Sequence, residues 1–175
     1  MQKITISGTP GSGKSTVAEL LQDKLNLKYI NSGMIFRQQA KEYNMSLEDF
    51  GRYCEENIDV DKELDRKQIE ILKKNDNIVI EGRLSGWLAY KNNISVFKVM
   101  ITADIDTRVN RIINREGGDI SKRKKELIKR EKSEKTRYKN YYDIDLDDTG
   151  IYDIVIDSSN KKPEEIVKII LNKIN

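Results

Sequence analysis

The chain of 175 residues has no histidine, one cysteine (Cys54), two prolines and one tryptophan. Without histidine there is no imidazole general base and no Cys/His zinc site, and a lone cysteine cannot build a disulfide framework. That cysteine usage fits a reducing cytoplasm. No apolar run approaches the ~18 residues needed to cross a bilayer, and Met1 to Ser7 lack the apolar stretch of a secretory signal. A soluble, cytoplasmic protein is expected, with no membrane partner. An excess of charge of one sign is missing too: Lys+Arg 32 against Asp+Glu 29 leaves a net charge of +3. A dedicated nucleic-acid binder concentrates unopposed basic charge, so no nucleic-acid partner is expected. Internal repeats and low-complexity linkers are absent as well. The length suits a single domain over 1–175, and a monomer is expected.

What the chain does have is an alternation of short apolar runs and charged amphipathic stretches. Lys3 to Ser7 alternates around Ile4 and Ile6, meets a glycine-rich turn, and continues into a helical pattern carrying Val17, Leu20, Leu21 and Leu25. Further strands are expected at Lys28 to Ile30, Ile78 to Ile80, Val96 to Ile101 and Ile154 to Ile156. Strands alternating with helices imply an α/β fold with a five-stranded, mostly parallel sheet and helices on both faces. Ligands in such sheets sit beyond the carboxyl ends of the strands. The informative loops therefore follow Ser7, Ile30, Ile80, Ile101 and Asp157. From Asp104 to Asp143 the chain is rich in charge and helical in composition, and Gly117-Gly118 breaks it into two helices around an expected mobile flap. A closing helix with Pro163 near its start ends the chain.

The strongest signal is Gly8-Thr9-Pro10-Gly11-Ser12-Gly13-Lys14-Ser15, with Thr16 following, which satisfies G-x-x-x-x-G-K-[ST] between a strand and a helix. The glycines let backbone amides turn toward phosphate oxygens at a helix N-terminus, and Lys14 reaches the β- and γ-phosphates. Ser15 is expected to place its hydroxyl on the Mg2+ ion that accompanies ATP. A signalling GTPase would add D-x-x-G and N-K-x-D; neither is present, and Asn160-Lys161-Lys162-Pro163 lacks the aspartate.

Arginines recur after the second, third and fourth strands. The segments Asn31-Ser32-Gly33-Met34-Ile35-Phe36-Arg37, Glu81-Gly82-Arg83-Leu84-Ser85-Gly86-Trp87, Arg130 to Tyr138 and Ile151-Tyr152-Asp153 resemble those of the nucleoside monophosphate kinase family, most closely its short archaeal cytidylate kinases. The resemblance runs over nearly the whole chain. It implies a P-loop kinase with a mobile acceptor-binding helical region (31–77) and a lid (115–137), transferring the γ-phosphoryl group of ATP to CMP. It also implies that Arg37 and Arg83, with Ser32 beside them, hold the acceptor. Arg111 would lie over adenine, Arg115 would reach the ATP phosphates, and Arg130 and Arg137 would serve the transferring phosphoryl group. Glu134 would meet the acceptor ribose or an arginine. Arg111 and Arg115 are spaced i,i+4, and Arg130, Glu134 and Arg137 fall at i, i+4 and i+7, so each set shares a helix face. On spacing alone, a solvated charge ladder reads equally from that pattern. Glu81, ending an apolar strand, is a candidate to hold magnesium through water, or else a capping or salt-bridged glutamate.

Bacterial members of the family carry Asp-Ser-Gly and Gly-Arg-Asp where this chain has Asn31-Ser32-Gly33 and Gly82-Arg83-Leu84. Cytosine must then be read by other groups. Its amine donates where uracil accepts, so a carboxylate between Arg37 and Arg83 is expected. Asp59 is the first candidate and Asp61 the second, with Asp65 nearby and Arg66 a donor to the ring oxygen. All three aspartates also read as ordinary N-caps around a helix start. Other acceptors (UMP, AMP, dCMP or a small alcohol such as shikimate) and a catalytically silent nucleotide-binding regulator are the alternatives.

Overall fold

The computed structural model describes residues 2–174, the side chain of Asp61 excepted. Five parallel strands form one sheet in the order β2-β3-β1-β4-β5: β1 (Gln2–Gly8), β2 (Lys28–Asn31), β3 (Asn77–Glu81), β4 (Phe97–Thr102) and β5 (Ile154–Asp157). All five strands read from the sequence are present, each within a residue or two of its expected ends.

The two faces of β1 show how sequence sets the layers. Ile4 and Ile6 are fully buried and pack with Val17, Ala18 and Leu21 of α1 (Lys14–Leu25) and Ile166, Val167 and Ile170 of α8 (Pro163–Ile174). The alternate residues Thr5 and Ser7 are small and polar, yet equally buried. Their face receives α5 (Ser85–Lys91), whose Gly86 N–H donates to Ser7 Oγ at 3.0 Å. A Cβ on Gly86 would come within 2.5 Å of the Tyr152 ring, so this approach requires glycine.

Three helices lie between β2 and β3: α2 (Ser32–Glu42), α3 (Leu47–Glu56) and α4 (Ile58–Lys74). They occupy most of the segment 31–77. Asn31 and Ser46 cap the first two by accepting from Met34 N and Asp49 N. Ala40, Phe50 and Cys54 give this region its own small apolar cluster. After β4 come α6 (Ile105–Glu116) and α7 (Ile120–Tyr142), capped by Asp104 and Asp119. Gly117 and Gly118 separate them with φ of 71° and 110°, a conformation that side chains with a Cβ resist. α7 packs along both α6 and α3. It thereby brings the segment 115–137 against the helical region that follows β2. Among the described residues no helix is long and apolar enough to cross a membrane.

Candidate active site

The carboxyl ends of the strands open into a cleft of about 1130 Å³. At its floor the chain leaves β1 at Gly8, where a Cβ would meet the Ile101 carbonyl at 2.5 Å. It then turns through Gly11 and Gly13, both left-handed (φ 81° and 87°), into α1. Gly8, Pro10, Gly11, Ser12, Gly13, Lys14, Ser15 and Thr16 line the cleft, whereas Thr9 contributes its carbonyl to Lys14 Nζ at 3.4 Å. Ser12 Oγ is buried without a hydrogen-bond partner among the described residues. Lys14 Nζ also stands 3.8 Å from Glu81 Oε1. Burial pushes the Lys14 pKa down to about 8; the Glu81 charge opposes this and the Arg130 charge adds to it.

Glu81 ends β3 and is only 2% exposed. Its Oε2 accepts from Tyr29 Oη at 2.8 Å, and Tyr29 Oη in turn accepts from Asn31 Nδ2 at 2.9 Å. Burial and then the Glu81 charge hold the Tyr29 hydroxyl well above the ordinary tyrosine range. Ser32 Oγ donates to the Glu81 carbonyl at 2.6 Å, over the bare Cα of Gly82. Among the described residues no group of three or more His, Cys, Asp or Glu is arranged to hold a metal. Beside Lys14 the cleft offers the Ser15 hydroxyl and the Glu81 carboxylate. That sparse, hard-oxygen set suits magnesium, which keeps several waters and draws other ligands from phosphate oxygens.

The arginines converge on the cleft from three helices and one loop. Arg83 Nε and Arg130 Nε each donate to Glu134, at 3.1 and 3.0 Å. Glu134 is 4% exposed. Burial alone would raise its pKa, but Arg130, Arg83 and Arg137 together hold it below the ordinary glutamate value. Arg137 is buried, donates to the Gly51 carbonyl at 3.2 Å, and sits over the Phe36 ring at 5.4 Å and the Tyr138 ring at 5.5 Å. Arg37, on α2, has no ion-pair partner among the described residues; desolvation first, then Arg130, lowers its pKa. Arg111 donates to the Ser158 carbonyl and hydroxyl at 2.7 and 2.9 Å, which pins it beside the phosphate loop. Arg115 is exposed and pairs with its neighbour Glu116. The cleft residues not singled out from the sequence include Ser158, in the loop after β5 where a ligand-bearing turn was expected, and Arg123, which no motif marks.

The expected carboxylates fall differently. Asp59 is exposed in the first turn of α4 and does not line the cleft, contrary to the expectation that it would point inward. Asp61 shares that helix, and its side chain lies outside the described part of the structure. Arg66 is exposed. Among the described residues, Asp65 is the carboxylate of α4 that is both buried (5% exposed) and at the cleft. Six residues separate it from Asp59, which turns the helix by about 240° and so presents a different face. Gln68, one turn further on, is buried beside it at 6% exposure.

Comparison with known proteins places this geometry. Residues 3–160 match the model of the cytidylate kinase-like family. The chain is 43% identical over 173 residues to the cytidylate kinase of Methanocaldococcus jannaschii, covering 98% of this chain and 97% of that one. It is 46% identical over 168 residues to the cytidylate kinase of Methanococcus aeolicus, covering 95% and 94%. A gluconokinase structure from Sinorhizobium meliloti shares the fold with a TM-score of 0.65 at 15% identity, over 98% of this chain and 90% of that one. The chain belongs to the cytidylate kinase-like family, and the five-stranded P-loop kinase fold read from its sequence is borne out.

Proposed function

We propose that the chain is an ATP-dependent cytidylate kinase, which transfers the γ-phosphoryl group of ATP to CMP, giving CDP and ADP. The observation that carries this reading is a single cleft in which a P-loop lysine and a cluster of guanidinium groups face one another across the ends of β1 and β3. Family membership supplies the acceptor.

In the proposed reaction an oxygen of the CMP phosphate bonds to the γ-phosphorus while the bond from that phosphorus to the β-bridging oxygen breaks, and ADP departs with the electron pair. The second phosphate pKa is ~6, so the acceptor is already largely a dianion at neutral pH and no general base is required. The absence of histidine is therefore no obstacle. Catalysis must come from position and charge, because the transition state is loose and its charge rests on equatorial oxygens. Gly8 to Thr16 and Lys14 would cradle the donor phosphates, with Arg111 and Arg115 beside them. Arg37, Arg83 and Ser32 would hold the acceptor, and Arg130 and Arg137 the group in flight. Ser15, and Glu81 through water, would hold magnesium. That ion, when bound, neutralises charge on the β- and γ-oxygens.

We take the chain to act as a monomer in the cytoplasm; its one cysteine, Cys54, is buried. In the same reading 31–77 is the acceptor-binding region and 115–137 the lid, closing to exclude water. Coupled detection of ADP with ATP, magnesium and a panel of CMP, dCMP, UMP, AMP and shikimate tests the proposal. Preference for CMP or dCMP is expected. A preference for AMP or shikimate would overturn the cytidylate reading and leave a kinase; no turnover on any acceptor would overturn both.

A further inference from the structure

We infer that Gln68 reads the 4-amino group of cytosine through its side-chain oxygen, and that Asp65 enforces this choice by fixing which way the Gln68 amide faces. This rests on the reading of the chain as a cytidylate kinase.

Asp65 and Gln68 are spaced i,i+3 on α4 and share one helix face, which lines the cleft near the end of β3. Tyr142 Oη donates to Asp65 Oδ2 at 2.7 Å, and Gln68 Nε2 donates to Asp65 Oδ1 at 3.4 Å. An ionised carboxylate only accepts, so the amino end of the amide must be the one that faces Asp65. The oxygen end is thereby turned the other way. Gln68 Oε1 is buried and has no hydrogen-bond partner among the described residues. It faces the end of β3, where a Cβ on Gly82 would come within 3.6 Å of it, next to Ser32 and Arg83 of the proposed acceptor site. Buried acceptors without donors are rare in folded proteins and call for an explanation. The donor missing here is one that the acceptor nucleotide would bring.

Cytosine carries that donor. Its exocyclic amine offers hydrogens where uracil presents a carbonyl oxygen, which would meet Oε1 acceptor against acceptor. A glutamine by itself discriminates poorly, since a half-turn of its amide replaces the acceptor with a donor. Asp65 blocks the half-turn, because turning would set Oε1 against the carboxylate and leave Nε2 without its acceptor. Selectivity then comes from a repulsion against the wrong base as well as an attraction to the right one. Gln68 is the residue assigned to touch the base; Asp65 is a positioning residue.

The test is kcat/KM at saturating ATP for CMP, UMP and the pyrimidin-2-one ribonucleotide that lacks the 4-amino group. The wild type should lose ~10-fold or more on the amine-free acceptor, the scale on which a site built for a hydrogen bond rejects its absence. Gln68→Leu should bring CMP down to the amine-free acceptor and add no further loss for the latter. In Asp65→Asn the new amide can donate to Gln68 Oε1 and release the half-turn. UMP turnover should then rise in absolute terms, and the CMP-to-UMP ratio should fall by ~10-fold or more. A merely structural lesion would lower both substrates together. Equal use of CMP and the amine-free acceptor by the wild type overturns the inference without any variant having to fold. An unchanged CMP-to-UMP ratio in both variants overturns it too, with the kinase left standing. Failure of the wild type to phosphorylate CMP is the separate outcome that overturns the proposed function and this inference together.

Discussion

Lys14 is a largely desolvated ammonium, with 16% of its side chain exposed, in a cleft suited to polyphosphate, and its pKa of about 8 makes nucleotide binding a proton-linked event. Near pH 8 about half of the free protein lacks the Lys14 proton, whereas the phosphates of bound ATP supply counter-charge that restores it. ATP binding should therefore take up about half a proton at pH 8, approach one at pH 9, and take up almost none at pH 6.5. Calorimetric titration with ATP in buffers of different ionisation enthalpy measures this directly, and Lys14→Met should abolish the uptake. The same shift predicts a stability effect of definite sign. The folded protein loses this proton at about pH 8 and the unfolded chain at the ordinary lysine value of ~10.4. Between those values the unfolded state holds more protons, so this contribution raises stability as pH rises. The cost of burying the charge is full below pH 8 and relieved above it. A shift of this size corresponds to about 3 kcal/mol. Measured by urea denaturation, the stability of the wild type relative to Lys14→Met should improve by about 2–3 kcal/mol between pH 7 and pH 10. Comparison with the variant cancels the titration of other lysines. No proton uptake at pH 8–9, with a wild-type-to-variant difference independent of pH, would refute the reasoning.

Lys14→Ala should abolish phosphoryl transfer while the far-ultraviolet circular dichroism stays native; near-wild-type turnover would sink the enzyme reading. Arg115→Ala should lower kcat by ~10³-fold, the scale of a transition-state arginine, at unchanged Tm, because Arg115 is 65% exposed and among the described residues pairs with its neighbour Glu116. Arg130→Ala and Arg137→Ala should also lower kcat far more than ATP affinity, and Arg137→Ala should in addition lower Tm, since that side chain is 3% exposed beneath Phe36. Effects confined to KM would make these arginines binding groups only. Gly82→Ala should cost ~1–3 kcal/mol of stability and weaken CMP binding, because the new methyl collides with Ser32 Oγ at the head of α2. Ser32→Ala in the same background should recover part of the stability, and a Gly82→Ala protein as stable as the wild type would show that α2 is free to yield.

The sheet and the phosphate loop were legible because their signals are local. Apolar runs at Ile4, Ile78, Val99 and Ile154 need no knowledge of partners to read as strands, and a glycine-rich turn between strand and helix carries its own chemistry. The Gly117-Gly118 break was legible for the same reason. What was not legible is which face of α4 looks into the cleft. Asp59, Asp61 and Asp65 are equivalent as acids near a helix start, and choosing among them requires the helix phase relative to β3. Leu64, Leu72 and Gln68 reveal that phase by their burial; the charged residues between them obscure it in the sequence. Likewise the i,i+4 spacing of Arg130 and Glu134 could not announce that Arg83, 51 residues away, shares the same carboxylate.

That sharing bears on how a cleft lined by so many cations stays folded before any nucleotide arrives. Guanidinium groups gathered in a low-dielectric space repel one another, and a buried charge left without a partner costs several kcal/mol. Glu134 answers this for two of them at once, and it does so through Nε of both Arg83 and Arg130. An arginine presents five N–H donors, and only one of each set is used in this way. The terminal Nη groups of both side chains stay directed by the same anchor yet uncommitted to it, and phosphate oxygens bind best to paired donors of that kind. A carboxylate gripping the Nη edge would have to be displaced by each incoming substrate, whereas one gripping Nε can remain in place through the catalytic cycle. Arg111 is held differently, by Ser158 through both of its Nη groups, and Arg37, which lacks any ion-pair partner among the described residues, keeps its whole guanidinium edge for an incoming anion. The geometry thus gives Glu134 the role of organising the arginines, one of the two readings its sequence position left open.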